Sequence, residues 1–375
     1  MTIVIAAGGT GGHLYPAVAL ARAFLEKDPS TTILFVGTTR GLESKVLAHE
    51  GFELAMISAK PVMGKGAIAA ARGLLSLPRS LWQCLKMLKR RRADLVIGVG
   101  GYTSPMMVLA AAFTGIARVI LEPNAYPGMA NKAVGSFAQR VFLSFESAAP
   151  SFDRHKIRVV GTPIRKEFVE RPSQDRAATP AVGQRRLLIF GGSQGAKAIN
   201  SAVIEGLSEL MKRQARLSII HQTGEADHSR VAEAYRRAGI TAQVTPFLYD
   251  MPSALRSADL VVARAGAMTV AELTACGKPA ILIPLPQAIY DHQMHNAKVM
   301  EAAGAAVVLP QAELTGTRLA EAITGILDDP ERLRTMSACS RGMRRIDAAD
   351  AIVRECYALI GDHHDGHESI GATRV

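Results

Sequence analysis

The feature that most constrains the fold is a unit that occurs twice: an apolar run, a glycine-rich turn, then a helix-forming stretch. It appears as Thr2–Ala6 before Gly8-Gly9-Thr10-Gly11-Gly12-His13, and as Arg186–Phe190 before Gly191-Gly192-Ser193-Gln194-Gly195-Ala196. A short continuous apolar run bounded by glycines reads as a strand buried on both faces. Further runs of this kind are Thr32–Gly37, Asp94–Gly98, Ala117–Glu122 and Arg140–Ser144 in the first half. Ser218–Gln222, Ala242–Thr245, Asp259–Ala263 and Pro279–Ile283 follow in the second. Helices are expected over about 17–27, 198–212 and 269–276. Strand–helix alternation implies α/β architecture with parallel sheets covered on both faces, here as two Rossmann-like halves. Ligands of such sheets lie beyond the carboxyl ends of the strands. The glycine loops of both halves are therefore expected to open onto one cleft.

The halves are separated by residues 164–184, a stretch without period that holds Pro172, Pro180 and Gly183 and reads as a linker. This gives domains at 1–163 and 185–345. The last residues, 361–375, are rich in Gly and His and are expected to fray. A length of 375 residues suits two domains. With 48% hydrophobic and 21% charged residues, disorder is excluded as the main state. Cys84, Cys276, Cys339 and Cys356 contain no CxxC pair, which argues against a disulfide scaffold or a cysteine zinc site and favours a reducing compartment. The N-terminus has no basic n-region, so it does not read as a signal peptide. No run of about 18 uncharged apolar residues suggests a spanning helix.

The net charge of +11 lies in one half: residues 1–165 carry 20 Lys/Arg against 9 Asp/Glu, and the remainder carries 24 of each. Between Leu54 and Ala93 there is no acidic residue, while Lys60, Lys65, Arg72, Arg79, Lys86, Lys89, Arg90, Arg91 and Arg92 alternate with leucines and Trp82. Such a segment can lie in a membrane interface with its cations on anionic headgroups. It can equally be a helix packed on the sheet with a solvated basic face. Nucleic acid is the weaker reading, since aromatics are 5% of the chain and no nucleic-acid motif accompanies the patch.

Four loops carry candidate chemistry. In the first, glycines permit close backbone approach and helix-start amides can hold anionic oxygen. Its spacing is not GxGxxG, and no acidic residue closes the second strand, so a dinucleotide reading is poor. His13 is a candidate general base or a helix-start hydrogen-bonding residue. In the second loop, Ser193 is placed to bond a phosphate oxygen. The third is Arg264–Glu272, where Gly266 to Thr269 can form a helix N-terminus suited to a diphosphate. There Glu272 either accepts two ribose hydroxyls or completes a capping box with Thr269. The fourth, Asp291–Asn296, offers polar groups for sugar hydroxyls, with His292 and His295 three apart. No HExxH, P-loop or Asp-x-Asp pattern occurs, so neither a metal nor a cofactor is expected.

Taken in order, AGGTGGH (7–13), GVGGYTS (98–104), EPNAYPGMANK (122–132), GTPIR (161–165), GGSQGA (191–196), RAGAMTVAEL (264–273) and DHQMHNA (291–297) resemble the MurG family of UDP-N-acetylglucosamine transferases. The likeness spans about residues 3–345. It implies a GT-B architecture, with the second domain taking UDP-GlcNAc and the first taking a lipid-linked acceptor. Residues 346–360 would form a helix crossing back toward the first domain. The implied reaction is inverting transfer of GlcNAc to the MurNAc 4-hydroxyl of lipid I, giving lipid II for peptidoglycan. The implied location is the cytoplasmic face of the inner membrane, held peripherally, with other cell-wall synthesis proteins as further partners.

Carried over by motif, Thr10, Gly11 and Gly12 approach the sugar and diphosphate, and Asn124 contacts the GlcNAc. Arg165 and Ser193 contact phosphate. Ala267, Met268, Thr269, Val270, Ala271 and Glu272 surround the nucleotide, with Glu272 on the ribose. Gln293, aided by His292, reads the sugar hydroxyls, and Leu248 sits where the family places a backbone contact to uracil. His13 is the favoured base and Glu122 the runner-up. Lys65, Arg72, Arg79, Trp82, Lys86, Lys89 and Arg90–Arg92 are the expected membrane surface. Two departures stand out: Pro123 where the family often has Gln, and His292 where some members have Gln. Competing readings are a UDP-GlcNAc 2-epimerase or glycolipid synthase, a non-catalytic scaffold, and a nicotinamide dehydrogenase.

Overall fold

The computed structural model of the chain describes residues 1–8, 11–38, 43–57, 66–169, 184–213, 217–286 and 291–371, without the side chains of 11, 43, 45, 66–76, 213 and 362–371. Thr10, Lys60 and Lys65, and the side chain of Arg72, lie outside the described residues. The chain divides into two compact units, residues 1–164 with 346–375 and residues 165–345.

The first unit runs β1 (Thr2–Ala7), α1 (Gly11–Lys27), β2 (Thr32–Gly37), α2 (Glu43–Glu50), β3 (Glu53–Met56), α3 (Gly66–Arg91), β4 (Leu95–Gly100), α4 (Ser104–Thr114), β5 (Ala117–Glu122), α5 (Met129–Val134), β6 (Arg140–Leu143) and β7 (Ile157–Val159). All strand pairs are parallel, in the order β3-β2-β1-β4-β5-β6-β7. Successive strand residues alternate between two cores. Ile3, Ile5, Ile97 and Val119 pack with Phe24 of α1 on one face, and Val4, Ala6, Val96 and Ile120 pack with Leu88 of α3 and Val108 of α4 on the other.

The second unit runs β8 (Arg185–Phe190), α6 (Lys197–Arg213), β9 (Leu217–Gln222), α7 (His228–Arg237), β10 (Ala242–Thr245), α8 (Met251–Ser257), β11 (Leu260–Ala263), α9 (Ala267–Cys276), β12 (Ala280–Leu282), α10 (His292–Ala302), β13 (Ala306–Val308), α11 (Gly316–Leu327) and α12 (Pro330–Gly342). Its sheet is also parallel, ordered β10-β9-β8-β11-β12-β13. The last helix, α13 (Ala348–Gly371), belongs to the first unit. Its Ile352, Val353, Cys356 and Leu359 enter the core against α1, and Glu355 pairs with Arg140 and Arg158.

Strand order reverses in each sheet beside its first strand: between β1 and β4, and between β8 and β11. At such switch points adjacent loops diverge and leave a crevice. The two glycine-rich turns that open the units both sit there. In the first unit the β1–β4 register shifts between Ala6 and Ala7, so that Ala7 faces Gly100.

Several elements differ from the sequence expectation. Helix α1 starts at Gly11 rather than near Ala17, because buried Leu14 and Ala17 hold the glycine-rich turn in helical form. Pro16 within it supplies no amide to the Gly12 carbonyl one turn back. The short strands β3, β7 and β13 are too brief for a periodic signal. Residues 361–371, expected to fray, continue α13 as helix, since propagation adds one bond per residue once the packed turns before them are formed.

Candidate functional site

In the first unit, His13 occupies the first turn of α1 at the end of β1, half-buried. The end of β4 closes on it. A Cβ on Gly100 would lie 2.7 Å from His13 Nε2, and one on Gly101 would lie 2.1 Å from the Gly8 carbonyl oxygen. Both glycines have positive φ, +127° and +78°. Glycine is therefore required twice, for backbone angle and for room. Gly11 and Gly12 are the first two residues of the same helix.

Glu122 ends β5, next to β4, and is 1% exposed. Its Oε1 accepts from the Asn124 amide at 3.0 Å and from Asn124 Nδ2 at 3.1 Å. Its Oε2 accepts from the Gly128 amide at 3.0 Å and Asn131 Nδ2 at 2.9 Å. Burial pushes the carboxyl above the usual carboxylate range, against those four bonds. A base has to reach the proton it takes, whereas this carboxylate is a buckle that ties residues 124, 128 and 131 to the end of β5. Both oxygens of Glu122, the runner-up base, are thus engaged by the loop that follows it. Asn124 is brought there by the buckle, and Pro123 costs the loop no bond to Glu122, whose donors come from residues 124, 128 and 131.

In the second unit, the Gly191–Ala196 turn follows β8 and presents an exposed Ser193 before α6. The Gly195 amide bonds the Gly192 carbonyl at 2.9 Å. On the other side of the switch point, α9 begins at Ala267 with Gly266 as N-cap. Gly266 has no side chain to cap the first-turn amides, and such amides suit an anion. Thr269 is then the third helical residue and not the cap, so the capping-box reading of Thr269 with Glu272 does not hold. Met268, Thr269, Ala271 and Glu272 are partly exposed along this helix start, and Ala267 and Val270 pack inward.

Burial pushes the Glu272 carboxyl up to about 7, opposed by the nearby Arg165 guanidinium. Arg165 lies over the Phe168 ring at 5.1 Å. The structure therefore brings Arg165 and Glu272, far apart in sequence, into one neighbourhood. Gln293, in the first turn of α10, accepts the Leu285 amide at 3.0 Å through Oε1, which leaves its NH2 group as the donor end of the side chain. His292 opens the same helix. Its N-cap, Asp291, has φ of +52°, a left-handed backbone that non-glycine residues adopt rarely. Leu248 sits half-buried in the turn after β10, between Phe247 and Tyr249, whose rings meet edge to face at 4.9 Å.

Sequence reasoning missed two struts inside its own motifs. Arg264 donates to the carbonyls of Ile283 and Pro284 and to Gln311 Oε1. Asn296, fully buried, donates to the Ala265 carbonyl at 3.1 Å. Together they join the ends of β11 and β12 to α10. The available signal was a polar residue of high hydrogen-bonding capacity directly after an apolar strand or within an apolar helix face. Among the described residues no cluster of His, Cys, Asp and Glu has the arrangement to hold a metal ion.

On α3, Cys84 and Leu88 face the core and Arg79, Trp82, Lys86, Lys89, Arg90 and Arg91 are exposed, as is Arg92 just beyond. Trp82 is 60% exposed, with Lys86 Nζ 5.1 Å from its ring centre. Arg91 pairs with Glu53 of edge strand β3. Between α3 and β3 lies a cavity of about 620 Å³ whose walls include Met56, Trp82, Lys86 and Arg90. No helix among the described residues is long and apolar enough to cross a membrane.

Each of the two doubly wound units has a glycine-rich turn beside its switch point, where ligands of such sheets bind. Residues 3–143 match the glycosyltransferase family 28 N-terminal domain and residues 186–352 its C-terminal domain. The chain belongs to glycosyltransferase family 28. A relative from Syntrophus aciditrophicus, named UDP-N-acetylglucosamine--N-acetylmuramyl-(pentapeptide) pyrophosphoryl-undecaprenol N-acetylglucosamine transferase, is 46% identical over 96% of this chain and 98% of its own. One of the same name from Geobacter sulfurreducens is 43% identical over 96% and 98%. Among solved structures, Acinetobacter baumannii MurG is 29% identical, with a TM-score of 0.76 over 95% of this chain and 99% of that one. A Staphylococcus aureus MnaA–UDP structure, at 14% identity and a TM-score of 0.65, shares the fold.

Proposed function

We propose that this chain is the N-acetylglucosaminyltransferase that converts lipid I to lipid II: it transfers GlcNAc from UDP-GlcNAc to the MurNAc 4-hydroxyl with inversion. The observation that carries this reading is the near-full-length likeness to relatives of that name, together with the motif residues at both switch points.

The second unit holds the donor. Its Ser193 hydroxyl, the Arg165 guanidinium and the first amides of α9 bond the diphosphate, and Glu272 accepts from the ribose hydroxyls. The Gln293 NH2 group and His292 read the sugar, and the Leu248 backbone meets uracil. As the bond from the anomeric carbon to UDP breaks, negative charge grows on the diphosphate. Donors already aimed at it stabilise that charge without reorganising. The acceptor hydroxyl attacks from the face opposite UDP and gives its proton to His13. Glu122 acts through the 123–131 loop to place Asn124. The exposed face of α3, with Trp82, Lys86, Lys89 and Arg90, rests on anionic lipid at the cytoplasmic side of the inner membrane, where a lipid-linked acceptor is met.

The test is transfer of labelled GlcNAc from UDP-GlcNAc to a lipid I analogue. Label is expected in the lipid product with one UDP released per transfer, and EDTA is expected to leave the rate unchanged. Conversion of UDP-GlcNAc to an epimer, or no turnover with acceptor present, would refute the reading.

A further inference from the structure

Behind the Ser193 loop lies a buried polar chain that the reading above does not use. Asn200, the fourth residue of α6, is 1% exposed. Its Nδ2 donates to the Thr223 carbonyl at 3.0 Å and to Asp227 Oδ2 at 2.7 Å. Neither acceptor carries a proton to give: one is a carbonyl, the other a carboxylate that Arg230 binds through Nε and Nη2 and holds below the usual range. Both amide hydrogens of Asn200 are thereby committed, and its Oδ1 must accept. The partner of Oδ1 is His221 Nε2 at 3.1 Å. His221, fully buried, therefore carries its proton on Nε2, and its Nδ1 accepts from the Tyr235 hydroxyl at 3.2 Å. Burial drives the imidazole down to about 4, so the ring stays neutral at working pH.

What this chain grips is the turn at the end of β9. On one side the turn meets the Ser193 loop backbone to backbone. A Cβ on Gly195 would lie 1.8 Å from the Thr223 carbonyl oxygen, and one on Gly224 would lie 2.0 Å from that of Gln194. On the other side the Thr223 amide bonds the Thr245 carbonyl and the Gly224 amide bonds the Pro246 carbonyl, at 3.0 and 3.1 Å. Gln222 Nε2 adds a second bond to Pro246, and Thr245 Oγ1 donates to the Phe247 carbonyl. Thr223–Gly224 is thus a wedge between the loop that carries Ser193 and the turn that carries Leu248.

We infer that Asn200, oriented by His221 and Tyr235, is a positioning residue for the donor: it locks the wedge, and so fixes the spacing between the diphosphate loop and the uracil turn. This rests on the donor reading above. None of Asn200, His221, Tyr235, Asp227 and Arg230 is among the residues expected to contact the donor, and Arg230 also donates to Ser201 Oγ at 3.1 Å.

The test uses the full chain, UDP as probe and three proteins: parent, Tyr235→Phe, and the swap Asn200→Asp with Asp227→Asn. The swap keeps the charge count and a bond between positions 200 and 227, but leaves position 200 with no hydrogen for the Thr223 carbonyl. The swap is expected to lower the melting temperature, because it buries a carboxylate against the Thr223 carbonyl and takes one from Arg230, and in the folded protein to raise UDP Kd and donor KM about tenfold with kcat within about twofold. A residue that is merely structural would move the melting temperature and leave Kd of the folded protein alone. Parent-like Kd in a folded swap variant would overturn the inference. Should the swap not fold, imidazole nitrogen NMR decides: the parent is expected to show the Nε2–H tautomer at His221. Tyr235→Phe is expected to keep that tautomer, because Asn200 Oδ1 still accepts from Nε2 while Nδ1 loses its donor, and to raise UDP Kd about threefold. An Nδ1–H tautomer in the parent, or Tyr235→Phe with parent-like Kd, would overturn the orientation argued for Asn200. A parent that does not bind UDP would refute the donor reading itself, and this inference with it.

Discussion

Substitution of Gly100 by Ala tests how the first unit holds His13, the proposed base. The added methyl would sit 2.7 Å from His13 Nε2 and 2.8 Å from its Cδ2. Carbon and nitrogen rest at about 3.5–4 Å, so the imidazole has to retreat by about 1 Å. The backbone at +127° is also one that L residues rarely adopt, at a cost of about 1–3 kcal/mol. Crowding in a packed site adds about 1–3 kcal/mol. A stability loss of about 2–6 kcal/mol is expected, read as a lower melting temperature. Misplacing a catalytic group by about 1 Å lowers turnover on the order of a hundredfold. Donor KM is expected to stay within about twofold, since Ser193, Arg165 and Glu272 belong to the other unit. Initial rates of label transfer to a lipid I analogue give both quantities. Combination with His13→Ala isolates the cause: if Gly100→Ala acts through the imidazole, the double variant is no slower than His13→Ala alone. A folded Gly100→Ala protein with parental kcat would refute the reasoning, as would losses that multiply in the double variant.

Glu122→Gln replaces an acceptor of four hydrogen bonds by a group that accepts on one side only, and is expected to cost about 2–4 kcal/mol, read by thermal or urea melting. Glu272 has a folded-state value of about 7, above its ordinary 4.5. A raised carboxyl makes the folded state bind more protons than the unfolded one, so stability without ligand is present below about 4.5 and declines as pH rises to about 7. UDP affinity should move the other way, rising as the carboxylate ionises through about pH 7, and Glu272→Gln should flatten both profiles in calorimetric titrations from pH 5 to 8. Replacing Lys86 and Arg90 together by Gln is expected to weaken sedimentation with anionic vesicles about thirtyfold, at about 1 kcal/mol per charge. Arg91→Gln alone should do less, because Glu53 already pairs with that cation.

The two sheets could be read from sequence because their strands are buried on both faces, which leaves continuous apolar runs such as Thr2–Ala6 and Arg186–Phe190. The glycine loops were legible for a related reason: Gly100, Gly101 and Gly195 stand where a side chain would strike backbone or His13. What escaped was whatever depends on partners distant in the chain. Asn200 looks like an ordinary polar residue in an amphipathic helix until β9 brings His221 and α7 brings Asp227 and Tyr235 beneath it. Glu122 shows a converse limit. Its position at the end of a strand and beside Asn124 suggests chemistry, and only the count of donors around its two oxygens reveals a buckle. The start of α1 was misplaced because Gly-Gly-His-Leu-Tyr-Pro has little helix propensity of its own, and packing of Leu14 and Ala17 overrides it.

The central claim is that the second unit grips a uridine diphosphate with the loop after β8 and the N-terminus of α9. A crystal of the protein soaked with UDP-GlcNAc tests it most directly. The account predicts the diphosphate within about 2.7–3.1 Å of Ser193 Oγ, the Arg165 guanidinium and the first amides of α9, with the ribose hydroxyls on Glu272. A nucleotide seated instead on the β1–α1 loop of the first unit would contradict it.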